Sequence, residues 1–199
     1  MQRANEVVKI LKDCEAIFIN TKEFFTYSSG IKSPIYCDNR VLISYPKERK
    51  IIANHLADMI KENYKDIEVV AATATGAIAH GAWVADILGL PMVYILSKSK
   101  THGRGKMIEG SFKKGQKCVV VEDLISSGGS SIAAVNAARE HGLDVLGVAS
   151  IFSYELNQAK QNFANINCPY HSLSGFSAFE SFLSKEELKI LNDWRDAQK

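Results

Sequence analysis

The chain reads as an α/β protein, a central and mostly parallel sheet with helices on its faces. Three observations lead there. Apolar runs of strand length recur from residue 67 onward and alternate with segments of helical period. Those runs are nearly continuous in Val, Ile and Ala, as expected of parallel strands buried on both sides. The longest apolar stretch, residues 69–96, is punctuated by Gly76, Gly81, Gly89 and Pro91 and contains His80 and Asp86. It therefore divides into strand, helix and strand and does not read as a membrane span.

Taken in order, the first helix is expected over about residues 2–14, with Ala4, Val7, Val8 and Leu11 on its buried face. Residues 17–40 read as short strands around a Ser28-Ser29-Gly30 turn. A second helix follows Ser44 and Pro46, since proline is tolerated in a first turn. Its apolar face is expected to hold Ile51, Ile52, His55, Leu56, Met59 and Ile60. The repeating part then runs strand 67–75, helix 77–88 closed by Gly89, strand 91–96, strand 118–123, helix 131–141 ended by Gly142, and strand 143–152. Residues 155–199 are more polar, with short aromatic pieces, and a last helix is expected from Ser184, where Glu187 completes a capping box. The expected organisation is one domain over residues 1–199. Its core spans about 41–154, with a small hood from about 1–40 and 155–199 over the sheet's C-terminal edge.

Composition narrows the function. With 46% hydrophobic and 23% charged residues the chain has the make-up of a soluble globular domain, large enough to bury its own core. A net charge of +2 is too small to argue for a nucleic-acid partner, so any basic site must be local. Cys14, Cys37, Cys118 and Cys168 show no metal-ligand spacing and no C-x-x-C pair, which fits a reducing, cytoplasmic setting. The N-terminus interleaves charge with apolar residues at helical spacing and lacks a signal-peptide apolar core.

The most informative segment is residues 119–131, VVVEDLISSGGSS. An apolar strand ends in Glu122 and Asp123, then Leu124 and Ile125, and a turn of small residues follows: Ser126, Ser127, Gly128, Gly129 and Ser130. A helix begins directly after. Glycines let consecutive backbone N–H groups point inward, and a helix N-terminus adds positive potential, so the turn suits a phosphate. The hydroxyls of Ser126, Ser127 and Ser130 can add donors. It is not a Walker loop, because no Lys follows the glycines at the required spacing. Carboxylates beside a phosphate cradle make sense as acceptors for sugar hydroxyls or metal-bound water. A phosphorylated ribose presents both needs.

Residues 97–110, SKSKTHGRGKMIEG, crowd Lys98, Lys100, His102, Arg104 and Lys106 among glycines after the strand PMVYIL. Their placement beside the phosphate turn favours a lid over a polyanion. With these motifs in hand, the chain resembles a known family. The segment 119–131 looks like the 5-phosphoribosyl 1-diphosphate (PRPP) motif of type I phosphoribosyltransferases. K-x-H-G followed by I-E-G, YSSGIKSPIYCDNR, ATATGAIAHGAWVADILGLPMVY and FSYEL together resemble the orotate phosphoribosyltransferases, in order and over nearly the whole chain.

The resemblance implies the type I phosphoribosyltransferase fold and transfer of the phosphoribosyl group from PRPP to orotate. The products are orotidine 5′-phosphate and diphosphate, a step of pyrimidine (UMP) biosynthesis. It implies that Lys100 and His102 bind diphosphate, and that Asp123 joins them as the catalytic set. Glu122 to Ser130 would hold the ribose 5-phosphate and its hydroxyls, with Ser126 and Tyr36 at orotate. Mg²⁺ is the implied cofactor, held mainly by diphosphate, ribose and water, with no direct protein ligand expected. A homodimer is implied, loop 97–110 reaching the neighbouring site. Two positions depart from the family pattern. Leu96 stands where Y-V-R supplies an Arg, with Lys98 either the replacement cation or a solvated surface charge, and Ser28 stands where some members carry Lys. Competing readings are a purine phosphoribosyltransferase, which lacks the SSGIKSPIYCDNR strand and K-x-H-G loop, and a PRPP-sensing regulator, which usually carries an added DNA-binding domain.

Overall fold

The computed structural model describes residues 2–26, 30, 32–97 and 107–198. Helix α1 (Gln2–Asp13) leads into four short strands, β1 (Ile17–Ile19), β2 (Phe25–Thr26), β3 (Lys32–Ser33) and β4 (Ile35–Cys37). A 3-10 helix, Asn39–Ser44, joins them to α2 (Pro46–Asn63). The repeating part follows as β5 (Val69–Thr73), α3 (Ile78–Leu88), β6 (Met92–Ile95), β7 (Ile108–Glu109), β8 (Lys117–Ile125), α4 (Gly129–Glu140) and β9 (Asp144–Ser153). The chain closes with α5 (Asn157–Asn165), β10 (Tyr170–Gly175), a second 3-10 helix Phe176–Ser181, and α6 (Lys185–Ala197).

Six strands form one sheet in the order β10-β9-β8-β5-β6-β7. Every neighbouring pair is parallel except β6 with β7. Because successive strand residues point to opposite faces, Val119 and Val121 join one core and Cys118 and Val120 the other. The first core packs α1, α2, α3 and α6 against one face, through residues such as Leu11, Leu56, Val84 and Trp194. The second packs α4 and α5 against the opposite face, through Val135, Ala138 and Phe163. The apolar stretch 69–96 is thus strand, helix and strand, and among the described residues no helix is long and apolar enough to cross a membrane.

Local chemistry explains the boundaries. α3 stops at Gly89, left-handed at φ 65°. α4 is capped by Gly128, also left-handed at φ 83°, and so begins at Gly129, two residues before the expected start. Ser184 and Glu187 make the expected capping box at the head of α6. On α2, Ile51 is 37% exposed; the buried stripe is set by Ile52, Ala53, Leu56, Ala57, Met59 and Ile60. His55 instead turns to Glu6 of α1 at 3.1 Å.

The C-terminal segment is not all hood. β10 runs parallel to β9 from Tyr170↔Val148 to Gly175↔Ser153 and extends the main sheet. Its sequence, YHSLSG, is polar enough to hide that role. At the N-terminus, β1 and β4 pair antiparallel with Phe18 opposite Tyr36, and β2 pairs with β3. The Trp194 indole N–H of α6 donates to the Lys32 carbonyl at 2.9 Å, fastening the last helix to that small ribbon.

Candidate active site

Strand order locates the site. From β5 the chain crosses through α3 to β6 on one side, whereas β8 lies on the other side of β5. The connections leaving β5 and β8 therefore diverge, toward α3 on one face and α4 on the other. A crevice opens at such a switch point, beyond the C-terminal ends of the strands. Residues 122–130 border it from β8 and residues 73–77 from β5.

Glu122 is 4% exposed and engaged on both oxygens. Its Oε1 accepts from the Thr73 hydroxyl at 2.6 Å and from the Asp123 backbone N–H at 3.1 Å. Its Oε2 accepts from the Ser131 hydroxyl at 2.9 Å and the Ser130 hydroxyl at 3.2 Å. One carboxylate thereby ties the ends of β5 and β8 to the first turn of α4. Ser130, expected to present its hydroxyl to a phosphate, donates here to the Glu122 carboxylate.

Asp123 lies against the Glu122 carboxyl, with a side-chain hydrogen bond between the two, but meets fewer other donors. Its Oδ1 accepts from the Leu124 backbone N–H at 2.9 Å, and among the described residues no donor reaches Oδ2. That oxygen lies over Gly76, where a Cβ would come within 2.5 Å of it. Gly76 sits in the connection after β5, beside a cis Ala74–Thr75 peptide. Burial, with the neighbouring Glu122 charge second, pushes the Asp123 carboxyl up to about 7.

The N-terminal ribbon reaches the same place. The buried Asn39 donates its side-chain amide to the Asp123 carbonyl at 2.6 Å. Its own side-chain oxygen accepts from the Cys37 thiol at 3.4 Å. Burial holds that thiol well above its ordinary pKa, so it stays a donor. His80 Nε2 lies 3.3 Å from the Asn39 carbonyl, and burial lowers its pKa. Tyr36, 37% exposed, stands three residues before Asn39 with its ring 5.9 Å from Phe25.

Of the remaining expected residues, Ser126 and Ser127 follow the end of β8, and the Ser127 carbonyl accepts from Asn162 of α5 at 3.0 Å. The Ile125 side chain is fully buried and Leu124 packs on the first core, so both offer only backbone to the crevice. Gly128 packs against Phe163, which a Cβ would meet at 2.9 Å. Lys98, Lys100 and His102 lie outside the described residues. Thr73, Gly76, Asn39, His80 and Ser131 were not singled out from sequence. Thr73, Gly76 and Ser131 carried only a hydroxyl or glycine near a strand end, too common to select, and Asn39 and His80 reach the site through contacts distant in sequence.

An acidic pair at a strand end, a glycine-serine turn at a helix N-terminus and a switch-point crevice together define a class, the phosphoribosyl transferase domain. The model of that family matches residues 43–173. An orotate phosphoribosyltransferase of Enterococcus faecalis is 50% identical over 198 residues, covering 96% of this chain and 94% of its own. The orotate phosphoribosyltransferase of Aeropyrum pernix superposes with a TM-score of 0.78 at 24% identity, over 88% of this chain and 97% of that one. The Mycobacterium tuberculosis enzyme, solved with PRPP, superposes with a TM-score of 0.69 at 23% identity, over 88% and 98%. The chain belongs to the phosphoribosyltransferase family, in its orotate phosphoribosyltransferase branch.

Proposed function

We propose that the chain joins orotate to the ribose of PRPP, releasing diphosphate and forming orotidine 5′-phosphate. The observation that carries this reading is the open Asp123 carboxyl beside the Ser126–Ser130 turn, in a crevice where the connections leaving two neighbouring strands diverge. The turn and the head of α4 offer backbone N–H groups to the 5-phosphate. Asp123 accepts from the ribose hydroxyls. Glu122 holds both elements at a fixed spacing through its four donors. The ring nitrogen of orotate takes the place of the diphosphate oxygen at C1 of the ribose, with Tyr36 and Ser126 flanking the pyrimidine. Lys100 and His102 meet the diphosphate, and exclusion of water protects the electron-poor sugar from hydrolysis.

Mg²⁺ fits this donor set as an ion held by substrate and water. Among the described residues no group of three His, Cys, Asp or Glu side chains is placed to hold a metal, and both Glu122 oxygens are already engaged. When bound, Mg²⁺ supplies charge neutralisation on the leaving diphosphate. The active unit is a homodimer whose loop 97–110 reaches the neighbouring site, and the setting is cytoplasmic. Mixing Lys100→Ala with Asp123→Asn subunits tests the dimer, because each mixed dimer keeps one unaltered site and regains activity.

The deciding experiment is diphosphate release from PRPP with orotate, uracil, adenine, guanine and hypoxanthine, with and without Mg²⁺. Turnover is expected with orotate alone and to require Mg²⁺. A site built for a carboxylate rejects uracil because its donors are left unpaired. Efficient use of a purine while orotate stays inert overturns the reading.

A further inference from the structure

Arg40 is a cation on this face to which nothing above gives a task. Its position is built. Asp38 caps the 3-10 helix by accepting from the Arg40 backbone N–H at 3.1 Å. The same carboxylate takes the Arg40 side chain through two bonds, from Nε and from Nη2, both at 2.7 Å. A short ion pair of this kind contributes little to stability when exposed, and the Arg40 side chain is 61% exposed. What the pair fixes is direction, since a bidentate fork holds the guanidinium plane in one orientation.

Two of the five guanidinium N–H donors meet Asp38. Among the described residues the other three have no partner. The next residue along, Asn39, is the one whose amide holds the Asp123 carbonyl at 2.6 Å, so Arg40 stands at the rim of the ribose site. Asp123 and Tyr36 both lie within electrostatic reach of it. The described strand ends lining the crevice, residues 73–77 and 122–131, contain two acids and no Lys or Arg. An anion entering there meets negative side chains unless a cation stands nearby.

We propose that Arg40, aimed by Asp38 and seated by Asn39, is a substrate-binding residue that takes an anion carried at the reacting end of the ribose. The proposal rests on the phosphoribosyl-transfer reading. Two groups supply that chemistry, the diphosphate of PRPP and the carboxylate of orotate. Both sit next to C1, and both match a planar pair of donors.

Calorimetry with four ligands separates them: PRPP and ribose 5-phosphate, which differ by the diphosphate, and orotidine and uridine 5′-phosphates, which differ by the carboxylate. Removing one charge-assisted contact should weaken the affected ligand about ten- to hundredfold. If Arg40→Ala weakens PRPP but spares ribose 5-phosphate, the anion is the diphosphate. If it weakens orotidine 5′-phosphate but spares uridine 5′-phosphate, the anion is the carboxylate. Arg40→Lys should restore part of the loss, and Asp38→Asn, which keeps the cap but slackens the fork, should reproduce part of it. Equal effects on all four ligands, or none, overturn the proposal, with an unchanged circular-dichroism spectrum confirming that the variant is folded. An unaltered protein that turns over orotate while Arg40→Ala binds all four normally keeps the reaction and loses only Arg40.

Discussion

Glu122 and Asp123 are neighbours in the chain, yet one faces the braced side of the crevice and the other its open side. The two carboxyls stay in contact with each other, so what divides their labour is the set of donors each one meets. Glu122 meets Thr73, Ser130, Ser131 and the Asp123 backbone N–H, with both oxygens engaged. Asp123 meets one backbone N–H, the Glu122 carboxyl and a glycine. Two identical functional groups thus become a structural tie and a more open carboxyl, and the difference lies in what the flanking segments, 73–77 and 129–131, bring to each.

That contrast breaks most visibly at Glu122. Glu122→Ala takes the acceptor from the buried Ser131 hydroxyl and the Asp123 N–H and leaves Thr73 only the Val121 carbonyl at 3.3 Å, and each unsatisfied buried donor costs about 1–3 kcal/mol. The expected loss is about 2–3 kcal/mol, read from urea unfolding. A variant with unaltered stability would show that the tie contributes nothing. On the open side, Gly76→Val should leave stability within about 1 kcal/mol but displace Asp123, since even the first side-chain carbon would lie 2.5 Å from its Oδ2. PRPP affinity, measured by calorimetry, is expected to fall at least about a hundredfold. Normal binding would place the ribose elsewhere.

How much of this was legible beforehand follows the same line. The parallel core was readable because its strands are uniformly apolar and its helices periodic, and the capping box at Ser184 and Glu187 carried its own signature. β10 escaped because YHSLSG gains its strand from pairing with β9, not from its composition. β7 is two residues long and depends on β6. At the site, Glu122 to Ser130 could be read because they are contiguous. Asn39 could not, because its bond to Asp123 spans 84 residues. Nor did the sequence reveal that Glu122 is closed, which depends on where Thr73 and Ser131 come to lie.

Acidity sharpens the comparison further. Burial and the Glu122 charge push the Asp123 carboxyl up to about 7, whereas in the unfolded chain an Asp loses its proton near pH 4, by the usual range of about 3.9. Between about pH 4 and pH 7 the folded state therefore holds more protons than the unfolded one, and stability falls as pH rises through that window. Asp123→Asn removes the dependence. It should be at least as stable as the parent at pH 8, by a margin on the order of 1–3 kcal/mol at most, while turnover drops about a hundredfold. Urea unfolding at pH 5 and pH 8 checks the first half and orotate turnover the second. A variant less stable than the parent at pH 8 would mean that Asp123, like Glu122, is a structural tie.

The third strand end bordering the crevice, that of β6, tests the division at its weakest point. Leu96 donates its backbone N–H to the Met107 carbonyl at 2.8 Å, and its side chain is half-buried. The backbone there is braced, while the side chain offers no donor where the family resemblance places an Arg. A charge-assisted contact contributes roughly 1.5–3 kcal/mol. Its absence should weaken PRPP binding by about one to two decades unless another cation serves. Lys98, two residues on and outside the described residues, is the candidate by sequence. If it serves, Lys98→Ala costs PRPP affinity steeply, and adding Leu96→Arg to that variant restores most of the loss, because a planar fork replaces a point charge. The measurement is the Michaelis constant for PRPP and the turnover number in the single and double variants. If Lys98→Ala changes neither, Lys98 is a solvated surface charge, and the cation at this end of the site comes from another residue.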